Sequence, residues 1–252
     1  MFQNSPPWRN ERIHVDLSLT KSIDKKTVPP EIQKTLSLEL IDRYRNHTCI
    51  YTDGSKYEDS AAAAVVIPEI GYRRILRLAD SSSVYATEMT ASRDAVDWIF
   101  ENRTLARDRF AIFTDSLSAA ESVKALQSDS RPTLMAEVLE SINRLGPGDV
   151  TLVWIPSHVG IRGNEEADAA AKEGLHLPTV NSTTYIERKE MNGKINQYVL
   201  GKWQKEYTDD PKGAFYKNQV HGYSAEARGP DHETTPGQSA AEPVASHDES
   251  AP

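Results

Sequence analysis

The sequence predicts an α/β fold in which a mixed five-stranded sheet is flanked by helices. Three strand-like segments follow one another over residues 47–78, and from residue 87 onward helical and strand-like segments alternate. Successive short strands favour antiparallel pairing, whereas alternation with helices favours parallel strands with helices on both faces. The 252 residues can bury a substantial core, and the single Cys49 excludes an internal disulfide framework.

The first elements are an arm, a helix and a strand. Residues 1–30 contain two proline pairs and little periodicity, which indicates an extended arm. Apolar residues then recur at helical spacing and predict a short helix over 31–45. A strand over 47–52 follows, and it ends at Asp53-Gly54-Ser55, which is typical of a turn.

The remaining elements of the middle section follow from apolar patterns and from the breaks between them. Strands are predicted over 61–67, 72–78, 109–114 and 150–155. Helices are predicted over 87–100, 118–126, 134–145 and 164–174. A loop over 156–163 precedes the last of these helices.

Beyond Pro178 the pattern weakens, and it predicts one amphipathic helix around residues 191–203. Residues 221–252 contain almost no large apolar side chains, so burial cannot offset chain entropy and we expect disorder. The predicted organisation is an arm and helix over 1–45, a folded domain over 46–176, a partly helical extension over 177–220 and a disordered tail over 221–252.

Composition excludes several classes of protein. The longest apolar stretch is 61–67, too short to cross a bilayer, and residues 1–30 show no signal peptide, so we expect an intracellular protein without a membrane span. The formal net charge is −8, with most of the excess acid in residues 46–176. This charge argues against binding of nucleic acid by bulk positive charge alone, and divalent cations are the natural means of neutralising the carboxylates.

Four acids stand at positions where the predicted elements meet. Asp53 and Asp115 end strands, Glu88 lies in the first turn of a helix, and Asp168 lies in the helix over 164–174. Residues at the carboxyl ends of strands in such folds gather at one crevice. Four clustered acids repel one another unless cations lie between them, and oxygen ligands suit Mg²⁺ or Mn²⁺. Taken singly, each acid also has a structural explanation as a turn residue, a helix cap or an exposed charge.

The residues around these acids resemble the type 1 ribonuclease H family, in the version that non-LTR retrotransposon polyproteins carry. The motifs are YTDGS at 51–55, TEM at 87–89, FTDS at 113–116 and WIPSHVGIRGNEEAD at 154–168, in that order. The resemblance covers about residues 47–175, and the last motif is the most specific. It implies the ribonuclease H-like fold for this region.

The resemblance implies roles for individual residues. Asp53, Glu88, Asp115 and Asp168 correspond to the catalytic metal-binding acids, and His158 to a histidine that assists by proton transfer. Contacts with the nucleic acid are implied for Gly54, Ser55, Ser116 and Asn164. Asn164 is equally well explained as the N-cap of its helix, and in that case Asp168 projects from the first turn.

The function implied is metal-dependent hydrolysis of the RNA strand of RNA–DNA hybrids, leaving 3′-hydroxyl and 5′-phosphate ends with two Mg²⁺ ions, or Mn²⁺. The expected partners are the hybrid and a reverse transcriptase domain of the same element, since the chain looks like a C-terminal part of a polyprotein. Residues 1–45 would then be the remnant of a connecting segment. A monomer is expected. The alternative is a catalytically silent remnant that binds nucleic acid or protein, although folding alone does not require four clustered acids.

Overall fold

The structure, a computed structural model, describes residues 13–23, 27–102, 109–146, 148, 150–182 and 188–209. Its strands are β1 (Ile13–Asp16), β2 (Thr48–Tyr57), β3 (Ser60–Ile67), β4 (Tyr72–Leu78), β5 (Phe110–Thr114) and β6 (Val150–Trp154). Its helices are α1 (Pro30–Arg43), α2 (Val84–Asn102), α3 (Leu117–Ala125), α4 (Pro132–Asn143), α5 (Arg162–Gly174) and α6 (Arg188–Asp209).

The six strands form one sheet in the order β1-β6-β5-β2-β3-β4. The first four in this order run parallel, and β2, β3 and β4 pair antiparallel. The predicted mixed α/β sheet with flanking helices is therefore confirmed, and it is consistent with a ribonuclease H-like fold. The predicted count of five strands is wrong, because β1 adds a sixth strand.

Strand β1 arises from residues for which the sequence predicted an extended arm. Ile13 pairs with Val150 of β6 and is buried, whereas the next residues are at least partly exposed. Four residues with one buried apolar side chain give too little periodicity to predict a strand. Strand β1 forms because β6 would otherwise be an edge strand with unpaired backbone N–H and C=O groups.

Helices cover both faces of the sheet. Successive residues of a strand point to opposite faces, so Tyr51 and Gly54 of β2 face opposite ways. Gly54 lies against α2, whereas Tyr51 lies against Gly163 of α5. Because both faces are covered, β3 is buried along almost its whole length, which explains the continuous apolar run 61–67.

Three element boundaries differ from prediction and change where the acids lie. Strand β2 continues to Tyr57 because its antiparallel pairing with β3 persists after its parallel pairing with β5 ends at Thr52. Asp53 is therefore inside a strand and not in a turn. Helices α2 and α5 start at Val84 and Arg162, so Glu88 and Asp168 lie in second turns of their helices, not first turns.

The segment before the sheet's central strands contributes to the hydrophobic core. Leu19 and Ile23 are buried, and Leu40 of α1 is only 1% exposed. Residues 1–12 of the predicted arm lie outside the described part of the chain, so the arm prediction is untested there.

The chain divides into two compact units, Met1–Ile195 and Asn196–Pro252, with α6 crossing the boundary. The first unit contains the sheet. In the second, the rings of Trp203 and Tyr207 stack with their centroids 5.5 Å apart. The tail predicted to be disordered, residues 221–252, lies outside the described residues. None of the described helices is long and apolar enough to cross a membrane.

Candidate metal centre and active site

The site is built where β2 and β5 end their parallel pairing. Thr52 lies beside Thr114 in the last pair of this ladder, so Asp53 and Asp115 are the next residues along each strand. Parallel strands bring their carboxyl ends to the same edge, which places these two acids side by side. The backbone carbonyl of Asp115 accepts a hydrogen bond from the indole Nε1 of Trp154, at 3.2 Å.

Glu88 reaches the same place from α2 because Gly54 lets this helix approach closely. A Cβ atom built on Gly54 would lie 2.4 Å from Thr87 Oγ1 and 2.5 Å from the backbone nitrogen of Glu88. Any larger residue at position 54 would therefore push the start of α2 away from the strand. The glycine of the turn-like motif serves this contact between strand and helix.

Asp53, Glu88 and Asp115 form one cluster, in which one carboxylate oxygen of each lies within 4.8 Å of the others. Asp53 is 6% exposed and Glu88 is 7% exposed. The Oε2 atom of Glu88 is buried and has no hydrogen-bond partner among the described residues. The cluster therefore combines buried negative charge with an unsatisfied oxygen.

Burial is the main reason why the pKa values of Asp53 and Glu88 are raised. Burial, and then the charges of Asp115 and Asp168, raise the pKa of Asp53 to about 7, against an opposing effect of Lys172 and of the Gly54 backbone hydrogen bond. Burial also raises the pKa of Glu88 well above its ordinary value, and the charges of Asp53 and Asp115 add to this. Such repulsion is the arrangement that a bound cation relieves.

Asp168 stands apart from the cluster of three. Its carboxylate accepts a hydrogen bond from Lys172, one turn further along α5, at 2.7 Å. It forms a second group of possible metal ligands with His158 and Glu165, in which one atom from each of the three lies within 4.8 Å of the others. Its charge still raises the pKa of Asp53. The structure thus brings three of the four expected acids together and places the fourth at the neighbouring group.

His158 lies in the loop between β6 and α5, exposed to solvent. Its backbone φ is +55°, and that of Gly160 is +78°. The backbone nitrogen of Gly160 donates a hydrogen bond to Glu165 Oε1 at 3.1 Å. The loop is therefore tied to the first turns of α5.

Asn164 is a buried partner of Asp115 and not a helix cap. Helix α5 begins at Arg162 and its N-cap is Ile161, so the N-cap interpretation of Asn164 is wrong. The Asn164 side chain is 1% exposed, and its Nδ2 donates to Asp115 Oδ2 at 3.1 Å. Its Oδ1 is buried and without a hydrogen-bond partner in the described part of the chain.

The other residues for which a nucleic-acid contact was expected lie at the rim of the cluster. Gly54 and Ser55 belong to β2, and Ser116 follows Asp115; all three are partly exposed. Ser116 is the N-cap of α3, and its hydroxyl accepts a hydrogen bond from the Ala119 backbone nitrogen at 3.4 Å. This local role explains the serine without a substrate.

The sequence model of the RNase H family matches residues 45–176. This is slightly more than half of the 252 residues. The chain belongs to the RNase H family. The matched part runs from just before β2 to just after α5, so it includes every residue of the acid cluster and of the His158 group.

The donor set of this RNase H domain fits a divalent cation. The three clustered donors are all carboxylates, the ligand type that Mg²⁺ and Mn²⁺ prefer. The orphaned Glu88 oxygen and the raised pKa of Asp53 have a direct explanation if a cation lies among these groups. Lys172 offers a single positive charge, and it is engaged with Asp168.

Sequence reasoning missed two residues of the site. Glu165 and Lys172 lie three residues before and four residues after Asp168, hence on the same side of α5. This helical spacing was the available signal. Helical spacing alone does not predict the hydrogen bond between Glu165 and the loop. That bond depends on the loop conformation, in which two residues have positive φ.

Proposed function

We propose that this RNase H domain is a metal-dependent endonuclease that hydrolyses the RNA strand of RNA–DNA hybrids and leaves 3′-hydroxyl and 5′-phosphate ends. The observation that carries the proposal is the buried cluster of Asp53, Glu88 and Asp115 within the part of the chain that matches the family. Folding gains nothing from three mutually repelling acids, so their presence favours a chemical role.

Asp53, Glu88 and Asp115, together with Asp168, would hold two Mg²⁺ ions, or Mn²⁺. Paired ions of this kind activate the attacking water and stabilise the leaving oxygen in phosphodiester hydrolysis. In the chain itself, Asn164 orients Asp115 through its 3.1 Å hydrogen bond. Lys172 fixes the rotamer of Asp168 in the same way.

His158 is proposed to transfer a proton during attack or product departure. It is exposed and lies within reach of Asp168, which suits a group that exchanges protons with solvent beside the reacting phosphate. Substrate contacts are proposed for Gly54, Ser55 and Ser116, which rim the cluster. The proposed RNA contact of Asn164 requires the substrate to approach a side chain that is 1% exposed.

Selection of a hybrid rests on recognition of 2′-hydroxyl groups on one strand and of deoxyribose on the other. Acidic residues outnumber basic residues in the domain, so bulk charge does not favour binding of such a duplex. An open surface cleft of about 610 Å³ beside α3 and the start of α2 is lined by residues that include Tyr85 and two acids, Glu121 and Asp129. Phosphate groups are repelled there, so affinity for a hybrid is expected to depend on further contacts.

We propose that a reverse transcriptase domain of a non-LTR retroelement provides those contacts. The support is the resemblance of residues 154–168 to the retroelement version of the family and the acidic charge of the domain. In this proposal residues 1–45 derive from a connecting segment, the domain covers 46–176, residues 177–220 form an extension and 221–252 a disordered tail. The protein alone is proposed to be monomeric and intracellular.

The test is cleavage of a labelled RNA–DNA duplex with and without Mg²⁺, beside RNA–RNA and DNA–DNA duplexes of the same sequence. Asp115→Asn removes a negative ligand but keeps an oxygen for Asn164, and cleavage should fall by orders of magnitude. Glu140→Gln changes an exposed acid of α4 and should cleave like the parent.

His158→Asn should be milder than Asp115→Asn, with a loss of about 10²–10⁴-fold at most, the usual span for one acid–base group. Asparagine is chosen because it tolerates the positive φ of this position. Hybrid binding without Mg²⁺-dependent cleavage would refute the proposal and support the catalytically silent remnant instead. Unchanged cleavage by Asp115→Asn would refute the metal-binding role of the cluster.

A further inference from the structure

We infer that Glu165 is a positioning residue that holds the His158 loop, residues 156–161, against α5. This inference rests on the proposed function, because it concerns how His158 is presented to the site. The observation that carries it is the hydrogen bond from the Gly160 backbone nitrogen to Glu165 Oε1, at 3.1 Å.

The backbone of the loop adopts a conformation that needs such a constraint. His158 has a φ of +55°, and a residue other than glycine in the left-handed region persists only when its surroundings fix it there. Two residues later, Gly160 has a φ of +78°. The amide that donates to Glu165 therefore lies at the second of two left-handed positions in the loop.

The side chain of Lys34 in α1 approaches Gly160 from a second direction. A Cβ atom built on Gly160 would lie 3.1 Å from the Nζ atom of Lys34. Glu165 thus comes to this glycine from α5 and Lys34 from α1, a helix that precedes the part of the chain matching the family. The hydrogen bond from Glu165 is therefore the contact that ties this glycine to α5, whereas the Lys34 side chain is exposed and can move away.

The consequence for the site follows from the exposure of His158. Because its side chain is exposed, packing does little to fix the imidazole, and the position of the ring depends on the loop backbone. In the observed conformation one atom each of His158, Glu165 and Asp168 lies within 4.8 Å of the others. Without the contact from Glu165, the ring would spend less time beside Asp168.

The neighbouring glutamate provides a matched control. Glu166 has the same charge and belongs to the same turn of α5, but its carboxylate pairs with the exposed Arg162 at 2.8 Å. Substitutions at 165 and 166 therefore change helix propensity and net charge equally. They differ in whether the loop amide loses its acceptor.

The experiment compares Glu165→Ala, Glu165→Gln and Glu166→Ala in the full chain, with Mg²⁺ and a labelled hybrid. Glu165→Ala should lower kcat by about 10-fold or more. The loss should not exceed the about 10²–10⁴-fold that removal of one acid–base group causes. KM should stay near the parent value. Glu165→Gln keeps an acceptor oxygen and should restore most of kcat. Glu166→Ala should behave like the parent.

A double-mutant cycle separates positioning from a direct role. If Glu165 acts through His158, Glu165→Ala should cause no further loss in the His158→Asn protein. Additive losses would overturn the inference. So would a Glu165→Gln variant as slow as Glu165→Ala, because charge at 165, as in direct cation binding, would then matter more than the hydrogen bond.

A measurement without catalysis distinguishes failure of this inference from failure of the proposed function. In the metal-free protein, Glu165→Ala should shift the ¹H–¹⁵N resonance of the Gly160 amide and speed its hydrogen exchange, and Glu166→Ala should not. A parent protein that binds hybrids but does not cleave them refutes the proposed function. A Gly160 amide that is unchanged in Glu165→Ala refutes the loop contact whatever the activity.

Discussion

Replacing Asp53 with asparagine is predicted to stabilise the metal-free protein while removing a ligand from the cluster. The pKa of Asp53 rises from an ordinary 3.8 to about 7, and the side chain is 6% exposed. Each pH unit between the folded and unfolded pKa values is worth 1.36 kcal/mol, so ionisation costs the fold about 4 kcal/mol at most. Above pH 7 the free energy of unfolding of Asp53→Asn should exceed that of the parent by between about 1 and 4 kcal/mol. The lower bound allows for the cost of desolvating the buried amide.

The pH dependence has a defined sign. Below pH 3.8 Asp53 is protonated in both the folded and the unfolded chain, and it costs nothing. Between pH 3.8 and about 7 the folded protein keeps a proton that the unfolded chain has lost, so the parent loses stability as pH rises. The advantage of Asp53→Asn should therefore be small near pH 4, grow with pH and level off above pH 7.

Urea unfolding in EDTA at pH 4, 5, 6, 7 and 8 measures this difference. Asp42→Asn is the matched control, because Asp42 is 70% exposed and its 3.7 Å pair with Arg45 contributes little. Adding Mg²⁺ at pH 8 should stabilise the parent and stabilise Asp53→Asn less, since a ligand that binds only the folded state adds to stability. An Asp53→Asn protein that is less stable than the parent at pH 8, or a difference that does not vary with pH, would refute the electrostatic reasoning.

Three further predictions concern packing in the folded part of the chain. Gly54→Ala would place a Cβ atom 2.4 Å from Thr87 Oγ1 and should displace Glu88. The free energy of unfolding should fall by about 1–3 kcal/mol, and hybrid cleavage should fall as well. A urea midpoint and a cleavage rate equal to those of the parent would contradict this. Leu40→Ala should cost about 2–5 kcal/mol in urea unfolding, because Leu40 is 1% exposed. A fragment of residues 46–178 lacks β1 and α1 and should likewise unfold at lower urea than the full chain. Equal midpoints would show that the segments before and after the fragment add no stability.

The fold was predictable where side-chain patterns are long and repeated. The buried run 61–67, the alternation of strands and helices, and the elements that follow them were read directly from apolar spacing and turns. Strand β1 could not be predicted because four residues carry too little pattern, and its pairing depends on the edge of β6, far away in the sequence. The predicted ends of elements are wrong where tertiary contacts extend an element. The pairing of β2 with β3, for example, extends β2 beyond Asp53.

The sequence predicted which residues belong to the candidate site better than it predicted how they are arranged. Spacing and resemblance singled out the four acids, and the structure brings Asp53, Glu88 and Asp115 together. The separation of Asp168 could not be read from the sequence, because it depends on competing side-chain contacts with Lys172 and with the group of His158 and Glu165.

The two halves of the site are held by different kinds of contact, and this has a consequence for how the domain can vary. The backbone positions of the three clustered acids are fixed by strand register and by the close approach of α2 to Gly54, where no larger residue fits. The buried side chain of Asn164 additionally orients Asp115. The half around Asp168 is fixed by side-chain hydrogen bonds on the exposed side of α5. Substitutions there leave the sheet intact, so the position of His158 can change while the acid cluster keeps its geometry.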